Sequence, residues 1–155
     1  MIAVTLRHDF KEADVMTSNT AAALDKTLGA TDLIGRLRLI ADSGRSAVFT
    51  TSLGIEDQVI TAAIAAADLD IRIVTLDTGR LFPETDALIT QTETRYNIRI
   101  ERFRPETAAV DDYVKNYGRN GFYESLEARH ACCQVRKLEP LARALDGAAY
   151  WITGL

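Results

Sequence analysis

From residue 46 onward the apolar positions of the chain fall into two alternating rhythms. Residues 46–51 and 71–76 are short runs rich in β-branched and aromatic side chains, which predict buried strands. Between them, the alanine-rich stretch after Ser52-Leu53-Gly54-Ile55-Glu56-Asp57 predicts a helix to about Ala67. The second run breaks at Asp77-Thr78-Gly79, residues that favour turns, and Pro83 followed by Glu84 then opens a helix to about Tyr96. Proline loses nothing at a first helical position, where its N–H would be unpaired, and the carboxylate sits beside the positive end of the helix dipole. In residues 98–104, Ile98 and Ile100 alternate with Arg99 and Glu101, the mark of a strand with one wet face. Residues 110–117 predict a modest helix ended by Gly118-Arg119-Asn120-Gly121, residues 122–129 open a segment bearing two cysteines, and residues 150–153 read as a last strand.

Upstream, residues 17–29 predict an alanine-rich helix stopped by Gly29. Thr31 or Asp32 can cap a second helix carrying Leu33, Ile34, Leu37, Leu39 and Ile40. Residues 1–45 thus read as a helical N-terminal segment and residues 46–155 as an α/β domain, the two forming one domain. Strand and helix alternate in the manner of an open, mostly parallel sheet with helices on both faces. With right-handed crossovers and the strand order third, second, first, fourth, the first and last strands of this domain are neighbours and a crevice opens between them. The stop at Leu155 falls on that rim, and the expectation is a truncation just before another site loop.

Composition narrows the functions. A chain of 155 residues with 47% hydrophobic content can bury one sizeable core. Its net charge of -4 argues against general binding to nucleic acid or an anionic membrane, so any affinity for anions must be local. The first ten residues are interrupted by Arg7, His8 and Asp9 and lack the apolar core of a signal peptide, and no run of about 20 apolar residues could span a bilayer. Two adjacent cysteines make no disulfide framework, which fits a reducing cytoplasm.

Three stretches carry candidate chemistry. The turn at Ser52 and Gly54 could cradle an oxyanion on helix N–H groups, although Glu56 and Asp57 would repel a polyphosphate and no lysine of a Walker loop is present. Leu76, Asp77, Thr78, Gly79 and Arg80 lie where open α/β sheets bind small ligands, or form an ordinary strand-to-helix turn. Cys132 and Cys133 sit among Arg129, His130, Arg136 and Lys137. On an α-helix Cys132 would share a face with Arg136, and Cys133 with Lys137, and cations favour thiolates. Such a pair is either structural or part of a metal site whose other ligands come from elsewhere.

Together these stretches resemble the N-terminal part of an assimilatory adenylyl-sulfate reductase, in the family of adenosine phosphosulfate (APS) and 3'-phosphoadenosine phosphosulfate (PAPS) reductases. The resemblance rests on Ser52-Leu53-Gly54-Ile55-Glu56-Asp57, the run from Leu76 through Thr85, Tyr123-Glu124-Ser125, the run from Cys132 through Leu141, and Trp151-Ile152-Thr153-Gly154-Leu155. It implies an adenine nucleotide alpha hydrolase-like, Rossmann-like fold and a thioredoxin-dependent oxidoreductase of sulfate assimilation and cysteine biosynthesis. Such an enzyme reduces APS to sulfite and AMP through a nucleophilic cysteine that this chain does not contain. It also implies that Ser52 and Gly54 face the phosphosulfate and that residues 76–80 line the nucleotide crevice. Cys132 and Cys133 would be two of the four ligands of a 4Fe-4S cluster, with Lys137 lending positive charge between cluster and substrate. The cysteine pair leans the substrate toward APS, and the 155-residue chain alone is expected to be inactive. The alternatives are a PAPS reductase, an ATP pyrophosphatase-type relative, or a non-catalytic nucleotide- or metal-binding fragment. Homo-oligomerisation stays open.

Overall fold

The computed structural model describes residues 2–6, 26 and 28–154. Of the helix expected over residues 17–29, residues 17–25 and 27 lie outside the described residues, and Leu28 packs against the core. Five strands form one sheet: β1 (Ile2–Leu6), β2 (Ala47–Thr50), β3 (Arg72–Leu76), β4 (Ile100–Phe103) and β5 (Tyr150–Gly154), in the order β1-β5-β2-β3-β4. The last four are parallel, and β2 lies between β5 and β3, with Phe49 opposite both Ile152 and Ile73. This is the expected α/β fold and strand order. The sequence reading did not include β1, which pairs antiparallel with β5, Ile2 opposite Gly154 and Leu6 opposite Tyr150. Its partner is far away in sequence, so local periodicity could not reveal the pairing.

The helices are α1 (Leu33–Ala41), α2 (Ile55–Ala66), α3 (Pro83–Tyr96), α4 (Thr107–Tyr117), α5 (Leu126–Cys133) and α6 (Glu139–Ala144). Asp32, not Thr31, caps α1, accepting the Gly35 N–H at 2.8 Å. Pro83 starts α3, and Asn97 ends it in the left-handed conformation. Successive residues of β2, β3 and β5 point to opposite faces. Phe49, Ile73 and Ile152 pack with Leu37, Ile40, Ile60, Ile64 and Ile89 on one side. Val48 and Val74 pack with Ala144, Leu145 and Ala148 on the other, joined by Leu141 and Trp151. Both faces are therefore covered, and the carboxyl ends of β2, β3 and β5 are left as the open edge. Among the described residues no helix is long and apolar enough to cross a membrane.

Candidate functional site

At the carboxyl ends of β2, β3 and β5 lies a crevice of about 530 Å3 whose walls include Thr50, Ser52, Leu76, Thr78, Lys137 and Trp151. The indole N–H of Trp151 donates to Thr50 Oγ1 at 2.9 Å, which fixes the ring as a flat wall.

The Ser52 turn is held from within. Thr51 is buried, its hydroxyl oxygen accepts the Leu53 N–H at 2.9 Å, and its carbonyl accepts the Thr75 hydroxyl at 2.8 Å. Leu53 is forced to a φ of 67°, a region few residues without glycine's freedom occupy. Asp57 supplies what the sequence reading lacked. It is 6% exposed, and its Oδ2 accepts both the Ser52 N–H at 2.6 Å and the Ser52 hydroxyl at 2.8 Å. Asp57, expected to repel a polyphosphate at this loop, is thus also an internal brace for Ser52. The remaining donors are the N–H groups of the first turn of α2, where Gly54 is the N-cap and no side chain caps the helix. Glu56 stands exposed on the same turn.

In the next loop the expected residues divide. Leu76 and Thr78 line the crevice. Asp77 turns away, its carboxylate accepting the Gly79 N–H at 3.0 Å and Arg104 Nε at 2.8 Å. Burial opposes its ionisation, but these two donors outweigh burial and hold its pKa below the usual carboxylate value. Gly79 has a φ of 71°, which favours glycine, and the Arg136 guanidinium lies 3.4 Å from where a Cβ would stand. Arg80 reaches across to the Arg119 carbonyl at 2.6 Å and Asn120 Oδ1 at 2.8 Å, with its guanidinium 4.8 Å from the Phe122 ring centre.

A second cavity, about 660 Å3, adjoins the first and holds Cys132 and Cys133 together with Arg80, Arg129, Arg136 and Lys137. Thr78 and Lys137 line both cavities. Ser125 caps α5 through the Ala128 N–H at 3.1 Å, and α5 ends at the cysteine pair. The segment Gln134–Leu138 then widens into a π turn, with the Glu139 N–H bonded to the Gln134 carbonyl five residues back. Pro140 explains the widening: it is fully buried, has no N–H for the Arg136 carbonyl four residues earlier, and its ring would clash with that carbonyl in a regular helix. The α-helical spacing assumed from sequence is therefore replaced by a wider turn, and both cysteines and both following cations still border one cavity. Arg136 is buried and donates to the Thr78 carbonyl at 2.7 Å, tying this segment to the Asp77 loop. Both thiols are free and half-buried. Among the described residues no group of three or more His, Cys, Asp or Glu side chains could hold a metal ion. Two cation-flanked thiols fit half of a thiolate ligand set.

Fold and edge together define an α/β protein with an open, mostly parallel sheet and a ligand crevice at its carboxyl edge. The sequence profile of the phosphoadenosine phosphosulfate reductase domain matches residues 46–155, and the chain belongs to that family. It is 64% identical over 138 residues to an adenosine 5'-phosphosulfate reductase of Agrobacterium fabrum (89% of this chain, 53% of the relative). It is 70% identical over 128 residues to the protein of that name from Rhizobium meliloti (83% of this chain, 48% of the relative). The chain therefore spans about half the length of these relatives. A phosphoadenylyl-sulfate reductase from Candida auris, solved as a phosphate complex, shares the fold at a TM-score of 0.69 and 20% identity, covering 87% of this chain and 65% of that one.

Proposed function

We propose that this chain is the nucleotide-binding part of a thioredoxin-dependent adenylyl-sulfate reductase, which converts APS to sulfite and AMP in the cytoplasm. The observation that carries the reading is the adjacency of crevice and cysteine cavity, which share Thr78 and Lys137. The crevice offers the uncapped N–H groups of α2, the Thr78 hydroxyl and the Lys137 ammonium to an anionic ester, beside the Ser52 turn that Asp57 braces, and the Trp151 and Leu76 side chains to its apolar surface. Cys132 and Cys133 would hold two corners of a 4Fe-4S cluster, the remaining ligands coming from outside this chain. When bound, the cluster would supply a fixed anionic centre, whose charge Arg129, Arg136 and Lys137 are placed to balance.

With both cysteines of the chain so assigned, the attacking thiolate belongs to the rest of a longer protein. It forms a bond to the sulfonate sulfur while the bond from that sulfur to the AMP oxygen breaks, and AMP leaves with the electron pair. A thioredoxin thiolate then attacks the enzyme cysteine, sulfite leaves with the electron pair of the S–S bond, and the second thioredoxin thiol closes a disulfide and frees the enzyme thiolate. Two thiols are oxidised and one sulfonate sulfur is reduced by two electrons. Here the crevice groups of this chain bind and orient the nucleotide, and Lys137 offsets negative charge near the reacting group.

Membership of the phosphoadenosine phosphosulfate reductase domain family supports PAPS as a second substrate reading. The deciding experiment measures sulfite release by the full-length protein with reduced thioredoxin and either nucleotide. Faster turnover of APS supports the proposal, faster turnover of PAPS transfers it to the second reading, and sulfite release by the 155-residue chain alone would overturn the assignment of its cysteines.

A further inference from the structure

Among the described residues two buried side-chain atoms have no hydrogen-bond partner, the Tyr113 hydroxyl and Arg136 Nε. Both residues are more than nine-tenths buried, Tyr113 at 4% exposure and Arg136 at 8%. Tyr113 lies on α4 and Arg136 on the π turn. Helix α4 packs on the π turn, and the Tyr113 hydroxyl lies under Gly121, 3.5 Å from where a Cβ of that glycine would be. Its neighbours there are the Cys132 side chain and the Phe122 backbone. Arg136 approaches from the other element and adds a positive charge to the enclosure.

Native interiors rarely leave such groups unpaired, because each gives up its hydrogen bonds to water on burial. A buried, unpaired Tyr113 hydroxyl facing Cys132 makes sense if that sulfur is the missing acceptor. A neutral thiol accepts weakly, whereas a thiolate bound to a metal keeps anionic lone pairs that accept well. We propose that Tyr113 is a positioning residue for the cysteine pair, its hydroxyl donating to the anionic sulfur of Cys132 when that sulfur binds iron. The proposal rests on the reading of Cys132 and Cys133 as cluster ligands. Nothing in the sequence singles out Tyr113, which lies on a different helix from the cysteines.

The test uses the full-length protein with Tyr113→Phe, which keeps the ring and removes the hydroxyl. Tyr117→Phe is the comparison: that ring stacks on Tyr113 at 5.4 Å, but its hydroxyl donates to Glu127 Oε1 at 2.9 Å on the surface. Iron and sulfide content, the rate of iron loss to a chelator, the Fe–S stretching frequencies and the melting temperature are measured for each. Tyr113→Phe should load iron, lose it roughly 10-fold faster, and shift a terminal Fe–S stretch to higher frequency as a hydrogen bond to sulfur disappears. Tyr117→Phe should match the wild type. A Tyr113→Phe protein with unchanged iron loss and Fe–S frequencies overturns the proposal and leaves the cluster reading standing. A lower melting temperature with unchanged frequencies assigns Tyr113 a packing role only and also overturns it. Absence of iron from the wild type overturns both readings.

Discussion

Asp57 and Gly154 touch so closely that residue 154 has no room for a side chain: a Cβ there would overlap Asp57 Oδ1 and press on Glu56 Cβ. The same carboxylate holds the Ser52 N–H and hydroxyl through its other oxygen. The end of β5 and the turn after β2 are therefore locked through one buried acid, and the crevice owes its shape to that lock.

Gly154→Ala must displace Asp57 or bend β5. Overpacking of this kind costs about 1–3 kcal/mol, and it should release Ser52 and weaken AMP binding as well. Urea unfolding and calorimetric titration of AMP check both effects. An unchanged midpoint with unchanged affinity would show that the contact relaxes freely.

Asp77 makes stability depend on pH. Burial opposes its charge, but Gly79 and Arg104 hold its folded pKa below the ordinary value of 3.8. Its contribution is therefore complete above that value and is lost as pH falls through the lower, folded pKa. Arg104 is 68% exposed, so solvent screening keeps the ion pair weak. Asp77→Asn should cost about 1 kcal/mol at neutral pH, and the gap to the wild type should close in strong acid. Denaturant midpoints taken along a pH series check the sign.

Pro140→Ala restores an N–H for the Arg136 carbonyl and removes the ring that forces the π turn. Residues 134–140 can then wind as a regular helix, which rotates the cysteine pair against Lys137. Iron content of the full-length variant should fall while its helical circular dichroism holds or rises. Full iron content would mean that the π turn does not set the thiol geometry.

Cys132→Ser and Cys133→Ser should each abolish cluster incorporation in the full-length protein, since each removes a thiolate. Lys137→Ala should keep the iron and slow turnover about 10- to 100-fold. Normal iron in either serine variant would return the cysteine pair to a structural role.

The crevice should bind AMP or APS more tightly than magnesium ATP. Asp57 already occupies the Ser52 donors, and exposed Glu56 stands at the start of α2, so a second and third phosphate meet few donors and a like charge. Calorimetric titration giving the opposite order would favour an ATP-using relative.

Much of the fold was legible before any tertiary structure. Periodicity located α3 at residues 83–96, and the alternation of strand and helix, with right-handed crossovers, placed β2 beside β5. The candidate stretches were legible as well, because loops at strand ends and a cysteine pair among cations are local features.

The roles of individual side chains were decided elsewhere. Asp57 read as a charge that would repel polyphosphate, with no sign that it braces Ser52 under the end of β5, and Asp77 read as a crevice residue until Arg104 drew it to the other side. Tyr113 had no signal at all, and β1 found its place only through a partner at the far end of the chain. Propensity and period are properties of neighbours along the backbone, so the sequence by itself determined the elements and their alternation. Burial, hydrogen-bond partners and charge pairing depend on which distant segments the sheet brings together, and only the tertiary structure could decide them.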